Sequence, residues 1–305
     1  MKPRSTANCA IRHTSLTDSS DQRTAMTRST RPTPTTLFRP TRFGRSALLA
    51  LALSGVLGAV GPGSGAGAGF GAEAGCFTVG LPSASAAEAK QSAWVPGTVV
   101  PDAELKQFPI GDWFRAAPIP DDVFARMKGK SFKADCTVPR GELRYVTVLH
   151  YGADGKIRRG EMVVNRAAAA DVTDVFQKLF EAQYPIERMT LIDDFGADDE
   201  ASMRANNSSA FNFRVVKGSK KLSAHARGLA VDINPLYNPY VRVMKDGTTV
   251  VQPEAGRPYA DRKGIYPFRI DADDLAVKLF KAKGWSWGGD WKSLKDFQHF
   301  EKPLP

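Results

Sequence analysis

The chain has 305 residues, 42% of them hydrophobic and 24% charged, with a formal net charge of +10. Nine Lys/Arg and three Asp/Glu fall in the first 87 residues, so most of the excess sits there and the remainder is only mildly basic. That distribution gives no reason to expect nucleic-acid binding; it suits an anionic polymer or plain solubility.

Residues 26–45 are rich in Arg, Thr and Pro, and an apolar run of 15 residues follows at 46–60. A membrane span needs roughly 20 such residues. The run therefore reads as a signal h-region, with an uncleaved anchor as the alternative. Ala84-Ser85-Ala86 offers an A-x-A cleavage site. We expect residues 1–87 to be an export segment and the mature protein to be extracellular or associated with the cell wall. Cleavage there leaves Cys136 alone of Cys9, Cys76 and Cys136. No intramolecular disulfide is then expected, and Cys136 reads as a small core residue.

Residues 88–140 are Pro-rich and read as a wrapping segment with one short helix over Asp121–Met127. Alternating β-prone residues over 142–165, with Gly152-Ala153-Asp154-Gly155 between them, predict a hairpin. Residues 168–183 predict a helix, because Val172, Val175, Phe176 and Leu179 recur at the spacing of one buried face. Residues 186–193 read as a strand. Two long polar loops follow, at 193–214 with a helical turn in it and at 234–264. Between them, 229–233 reads as a short strand. A second helix is expected over 272–284, with Leu275, Leu279 and Phe280 inward. Residues 141–305 would form the catalytic or binding domain.

Long loops in a compact domain tend to carry function, and here they flank two histidine motifs. In Ser223-Ala224-His225-Ala226-Arg227-Gly228-Leu229-Ala230-Val231-Asp232-Ile233, a histidine precedes an aspartate by seven residues. A carboxylate between Val231 and Ile233 is costly unless it is paired or binds a metal. An aspartate on the solvent face of an edge strand explains the pattern equally well. Asp296-Phe297-Gln298-His299-Phe300-Glu301 supplies a second histidine. A catalytic zinc takes three N/O protein ligands and keeps one open position, which His225, Asp232 and His299 would fill. Asp296 and Glu301 are the candidate general bases. A straight strand puts Glu301 on the face of His299 and Asp296 opposite; only a turn between them brings Asp296 in. His150, in the hairpin, reads as a packed or surface histidine.

These two motifs resemble the S-x-H-x-x-G-x-A-x-D-[IL] and D-x-x-H signatures of the VanY-type D-Ala-D-Ala carboxypeptidase family. Its members are zinc peptidases of peptidoglycan, with L-Ala-D-Glu endopeptidases among their relatives. The resemblance covers about residues 142–301. It implies an α+β fold, a small antiparallel sheet with helices packed against it and a zinc site in a cleft over the sheet. The zinc-bearing signalling domain of hedgehog proteins shares that fold. It implies Zn2+ held by His225, Asp232 and His299, with Asp296 as the general base. The family's arginine for the substrate carboxylate usually stands in a Y-R-[ST] setting that this chain lacks; Arg214 is our choice and Arg204 the rival. Ser223 and Trp287 are the other substrate-binding candidates, with Trp291, Tyr237, Tyr240 and Tyr259 as further cleft residues. The expected partner is a peptidoglycan stem peptide, the substrate of a monomeric protein, with no specific protein partner and no nucleic acid. A D-alanyl-D-alanine carboxypeptidase is the first reading and an L-Ala-D-Glu endopeptidase the second. A non-catalytic zinc-bearing wall-binding module is the reading from another class. A serine or cysteine hydrolase has no motif in its favour.

Overall fold

A computed structural model describes residues 93–216 and 218–303. The expected export segment, with Cys9 and Cys76, lies outside the described residues. The architecture is α+β, with helices on small antiparallel sheets. In chain order the elements are α1 (Asp102–Leu105), β1 (Arg115–Ala117), α2 (Asp121–Met127), β2 (Leu143–Tyr151), β3 (Ile157–Asn165), α3 (Arg166–Glu181) and α4 (Asp199–Arg204). They continue with β4 (Ala230–Asp232), β5 (Tyr240–Val243), β6 (Thr249–Gln252), α5 (Leu275–Ala282), β7 (Ser286–Trp287), β8 (Lys295–Asp296) and β9 (His299–Glu301). Among the described residues these strands form three sheets, ordered β1-β2-β3, β4-β9-β7 and β6-β5-β8. All their pairings are antiparallel.

The β2–β3 hairpin separates two apolar clusters by the two-residue period of a strand. Val146, Val148, Met162 and Val164 face the first cluster, with Val172, Phe176 and Leu179 of α3, Phe280 of α5, and Val231, Ile233 and Phe300. Leu143, Tyr145 and Val163 face the second, with Met127 of α2, Leu191, Phe211 and Phe213. The Asn165 side chain caps α3 by accepting from Ala167 N at 2.9 Å, and Asp274 caps α5 through Ala276 N at 2.8 Å. These caps satisfy amides that a helix start leaves without a partner.

Residues 93–140 are tied into the same unit. Val99 bridges Arg158, and β1 pairs with β2. From α2, Arg126 reaches the fully buried Glu161 of β3 with two bonds of 3.0 and 2.6 Å, while Tyr145 Oη donates to the same carboxylate at 2.7 Å. A carboxylate at that depth is tolerable only when so satisfied. Among the described residues no helix is long and apolar enough to cross a membrane.

Two expectations are corrected. Residues 186–193 are extended, but they form isolated bridges rather than a ladder strand and end in a 3-10 turn, Ile192–Phe195. A side chain has taken over a ladder position: Asn207 Oδ1 accepts from Thr190 N at 2.9 Å. The loop at 234–264 also contains the β5–β6 hairpin, closed where Met244 N donates to Thr248 O at 2.8 Å.

Candidate metal centre

His225 opens a 3-10 turn, His225–Arg227, that ends at Gly228 with φ +67°. A Cβ at Gly228 would also lie 2.5 Å from Asn165 N. The residue therefore answers both to left-handed backbone and to close approach. Asn165 holds the turn against α3: its backbone N donates to Gly228 O at 2.7 Å and its side chain to Arg227 O at 3.1 Å.

Asp232 comes from β4. The alternation that buries Val231 and Ile233 turns Asp232 to the opposite face. β9 lies beside β4 with His299 directly opposite Asp232. The structure thus brings His225, Asp232 and His299 together, with one ligand atom from each lying within 4.8 Å of the others. His225 Nε2 is 3.1 Å from His299 Nδ1 and 3.2 Å from Asp232 Oδ2, and His299 Nδ1 is 3.0 Å from Asp232 Oδ1.

The donor set fits a zinc ion. His225 Nδ1 lies 2.6 Å from Ala210 O. A carbonyl only accepts, so Nδ1 carries the proton and the Nε2 lone pair faces the centre. Two nitrogens and a carboxylate make up the usual three-ligand catalytic set.

Electrostatics inside the cluster are strong. Burial pushes the Asp232 carboxyl up, but the charges and hydrogen bonds of His225 and His299 outweigh it and hold it well below the usual carboxylate range. Burial works against a charged His299, yet hydrogen bonds to Asp232 and Glu301 raise it to about 10.

Asp296 reaches the centre by the turn the sequence left open. It ends β8, paired with Tyr240 of β5, and Phe297–Gln298 turn the chain into β9. The turn is pinned on several sides. Phe297 O accepts from Trp287 Nε1 at 2.9 Å, Gln298 O accepts from Ile233 N at 3.0 Å, and the Arg262 guanidinium lies 4.3 Å over the Phe297 ring. Burial pushes the Asp296 carboxyl up; the His299 charge opposes this and the Asp232 charge adds to it. Among the described residues its buried Oδ1 has no hydrogen-bond partner. Glu301 is on the face of His299, as a straight strand requires, with Oε2 at 3.4 Å from His299 Nε2.

The substrate-binding candidates are placed differently from one another. Arg214 forms an ion pair with Asp199, and Arg204 is exposed at the end of α4. Ser223 is buried and its Oγ accepts from His225 N at 3.3 Å, so it shapes the turn. Trp287 is packed in the core, 3% exposed. Its strand alternation turns the indole inward and its N–H is spent on Phe297 O. Trp291 is the indole beside the centre, with its ring 5.3 Å from that of His299. Tyr237 and Tyr259 pack on each other and on Tyr266, and Tyr240 stands opposite Asp296. His150 is buried, with Nδ1 at 2.8 Å from Ile186 O, and burial lowers it to about 4. Cys136 is half-buried with Sγ 3.6 Å from Val138 O. Sequence reasoning missed Ala210 and Arg262. Neither lies in a motif, and each acts through contacts distant in sequence.

Residues 217–302, the stretch that holds both motifs, match the family described as D-alanyl-D-alanine carboxypeptidase. Arg204 and Arg214 fall outside it. No solved structure matches the chain.

Proposed function

We propose that this chain is a zinc-dependent peptidase of peptidoglycan stem peptides, exported to the cell wall, whose preferred cut is the terminal D-Ala-D-Ala bond. The observation that carries the reading is the convergence of His225 Nε2, Asp232 and His299 Nδ1, with the free Oδ1 of Asp296 beside them. The apolar run at 46–60 and the A-x-A at 84–86 support export.

Zinc, when bound, supplies Lewis-acid chemistry: it polarises a carbonyl and makes water acidic near neutral pH. Asp296 takes the proton from the attacking water at Oδ1. The water oxygen bonds to the scissile carbonyl carbon, the C–N bond breaks, and Asp296 returns the proton to the leaving amine. The raised affinity of Asp296 for a proton suits both halves of that task. Trp291 flanks the site as an apolar wall.

One observation favours the L-Ala-D-Glu endopeptidase reading instead. The guanidinium of Arg214 is held by Asp199, so the expected clamp for a terminal carboxylate is engaged elsewhere. A closed structural zinc would take a fourth protein ligand, whereas the group among the described residues has three. This argues against a non-catalytic module.

The test is digestion of purified peptidoglycan carrying pentapeptide stems, followed by mass spectrometry. Loss of a single terminal alanine supports the carboxypeptidase and a broken stem the endopeptidase. Asp296→Asn is expected to lower turnover by about 100-fold or more while zinc stays bound. Full activity in that variant, or in His225→Ala, rules out the assignment.

A further inference from the structure

Glu301 stands two residues beyond His299 on β9, on the same face, with Phe300 between them turned into the core. Its Oε2 lies 3.4 Å from His299 Nε2. The other ring nitrogen, Nδ1, is the one facing Asp232 and His225. We propose that Glu301 is a positioning residue that holds His299 in the tautomer with its proton on Nε2 and its Nδ1 lone pair turned to the metal. This rests on the zinc reading above.

A neutral imidazole has one donor nitrogen and one acceptor nitrogen, and the partner of each decides which is which. Each ring nitrogen of His299 faces a carboxylate, with Asp232 Oδ1 at 3.0 Å from Nδ1 and Glu301 Oε2 at 3.4 Å from Nε2. A metal at the centre would stand in place of a proton on Nδ1, and the proton that remains is the one Nε2 donates to Glu301. An acceptor on that side keeps the ring in the metal-binding tautomer.

His225 shows the same arrangement in mirror form. There the far-side acceptor is the carbonyl of Ala210 on Nδ1, and the metal-facing atom is Nε2. The two histidines thus present opposite ring nitrogens to one centre, each backed by an acceptor. One acceptor is backbone and fixed. The other is a side chain, and so can be removed. The same geometry separates Glu301 from the role of proton acceptor. The His299 ring stands between its carboxylate and the point where the donors converge, while among the described residues the Oδ1 of Asp296 has no hydrogen-bond partner.

The experiment measures zinc affinity of the purified protein by competition with a chromophoric chelator, alongside the ring 15N shifts of His299 in the zinc-loaded protein. Wild type is expected to show a protonated Nε2 and a metal-bound Nδ1. Glu301→Ala is expected to bind zinc about 10- to 100-fold more weakly, with the thermal midpoint of the metal-free protein little changed. Glu301→Gln, which keeps an acceptor oxygen, is expected to recover most of the loss, and it carries the test should the alanine variant misfold. Equal affinity and equal ring shifts in wild type and Glu301→Ala overturn the proposal. A wild-type His299 bound through Nε2 overturns it without any variant. A wild type that binds no zinc instead overturns the reading on which it rests.

Discussion

Substituting Gly288 by alanine is a sharp probe of how Asp296 is placed, because it touches neither the carboxylate nor the metal-facing atoms. Gly288 begins the turn after β7 and packs against Asp296. A Cβ there would lie 2.5 Å from Asp296 O and 2.8 Å from Asp296 Cβ. Comfortable contact begins at about 3.5 Å, so Asp296 or the turn must retreat by roughly 1 Å. A displacement of about 1 Å at a reacting group costs on the order of 100-fold in rate, or about 2.7 kcal/mol of activation free energy. The overpacked contact itself costs about 1–3 kcal/mol of stability, which leaves a domain of this size folded. His225 and Asp232 are carried by other segments and His299 is held by the pairing of β9 with β4, so zinc is expected to remain bound. The assay is kcat/KM on a soluble pentapeptide stem, with zinc content measured on the same preparation. Wild-type kcat/KM in a folded, zinc-loaded Gly288→Ala protein would refute the claim that this close contact sets the position of Asp296.

Zinc binding to the metal-free protein at neutral pH should release a proton from His299. That ring sits near 10, above its ordinary value of 6.5, so it is protonated at pH 7 and zinc affinity falls as pH falls. Calorimetric titration in two buffers of different ionisation enthalpy measures the release, and identical heats in both would count against it. Gly228→Ala meets both a left-handed φ and Asn165 N. A loss of about 2–5 kcal/mol in denaturant unfolding is expected, and a loss under 1 kcal/mol would show that the turn relaxes freely.

Local patterns made much of this molecule legible before any coordinates. The β2–β3 hairpin and the helices α2, α3 and α5 follow from periodicity and end signals that act within one element. Seeing His225, Asp232 and His299 as one group rested on motif order. The choice between Asp296 and Glu301 was not decidable from spacing, because it turns on whether Phe297–Gln298 bend the chain. They do, held by Trp287, Ile233 and Arg262, and none of those contacts is local. The depth of Trp287 was illegible for a related reason: a tryptophan beside a motif reads as a wall until its strand partner is known. The β5–β6 hairpin was hidden inside a loop, although Asp246-Gly247 is a turn signal.

Phe300 gives the centre a safeguard against misassembly. A slip of one residue between β4 and β9 would turn His299 and Glu301 into the core and expel Phe300. Phe300 is fully buried and stacks on Phe280 with ring centroids 4.5 Å apart. Losing that burial costs about 1.5–3 kcal/mol, before counting the imidazole and carboxylate driven inward. Oil, not metal, therefore proofreads the alignment of the ligands.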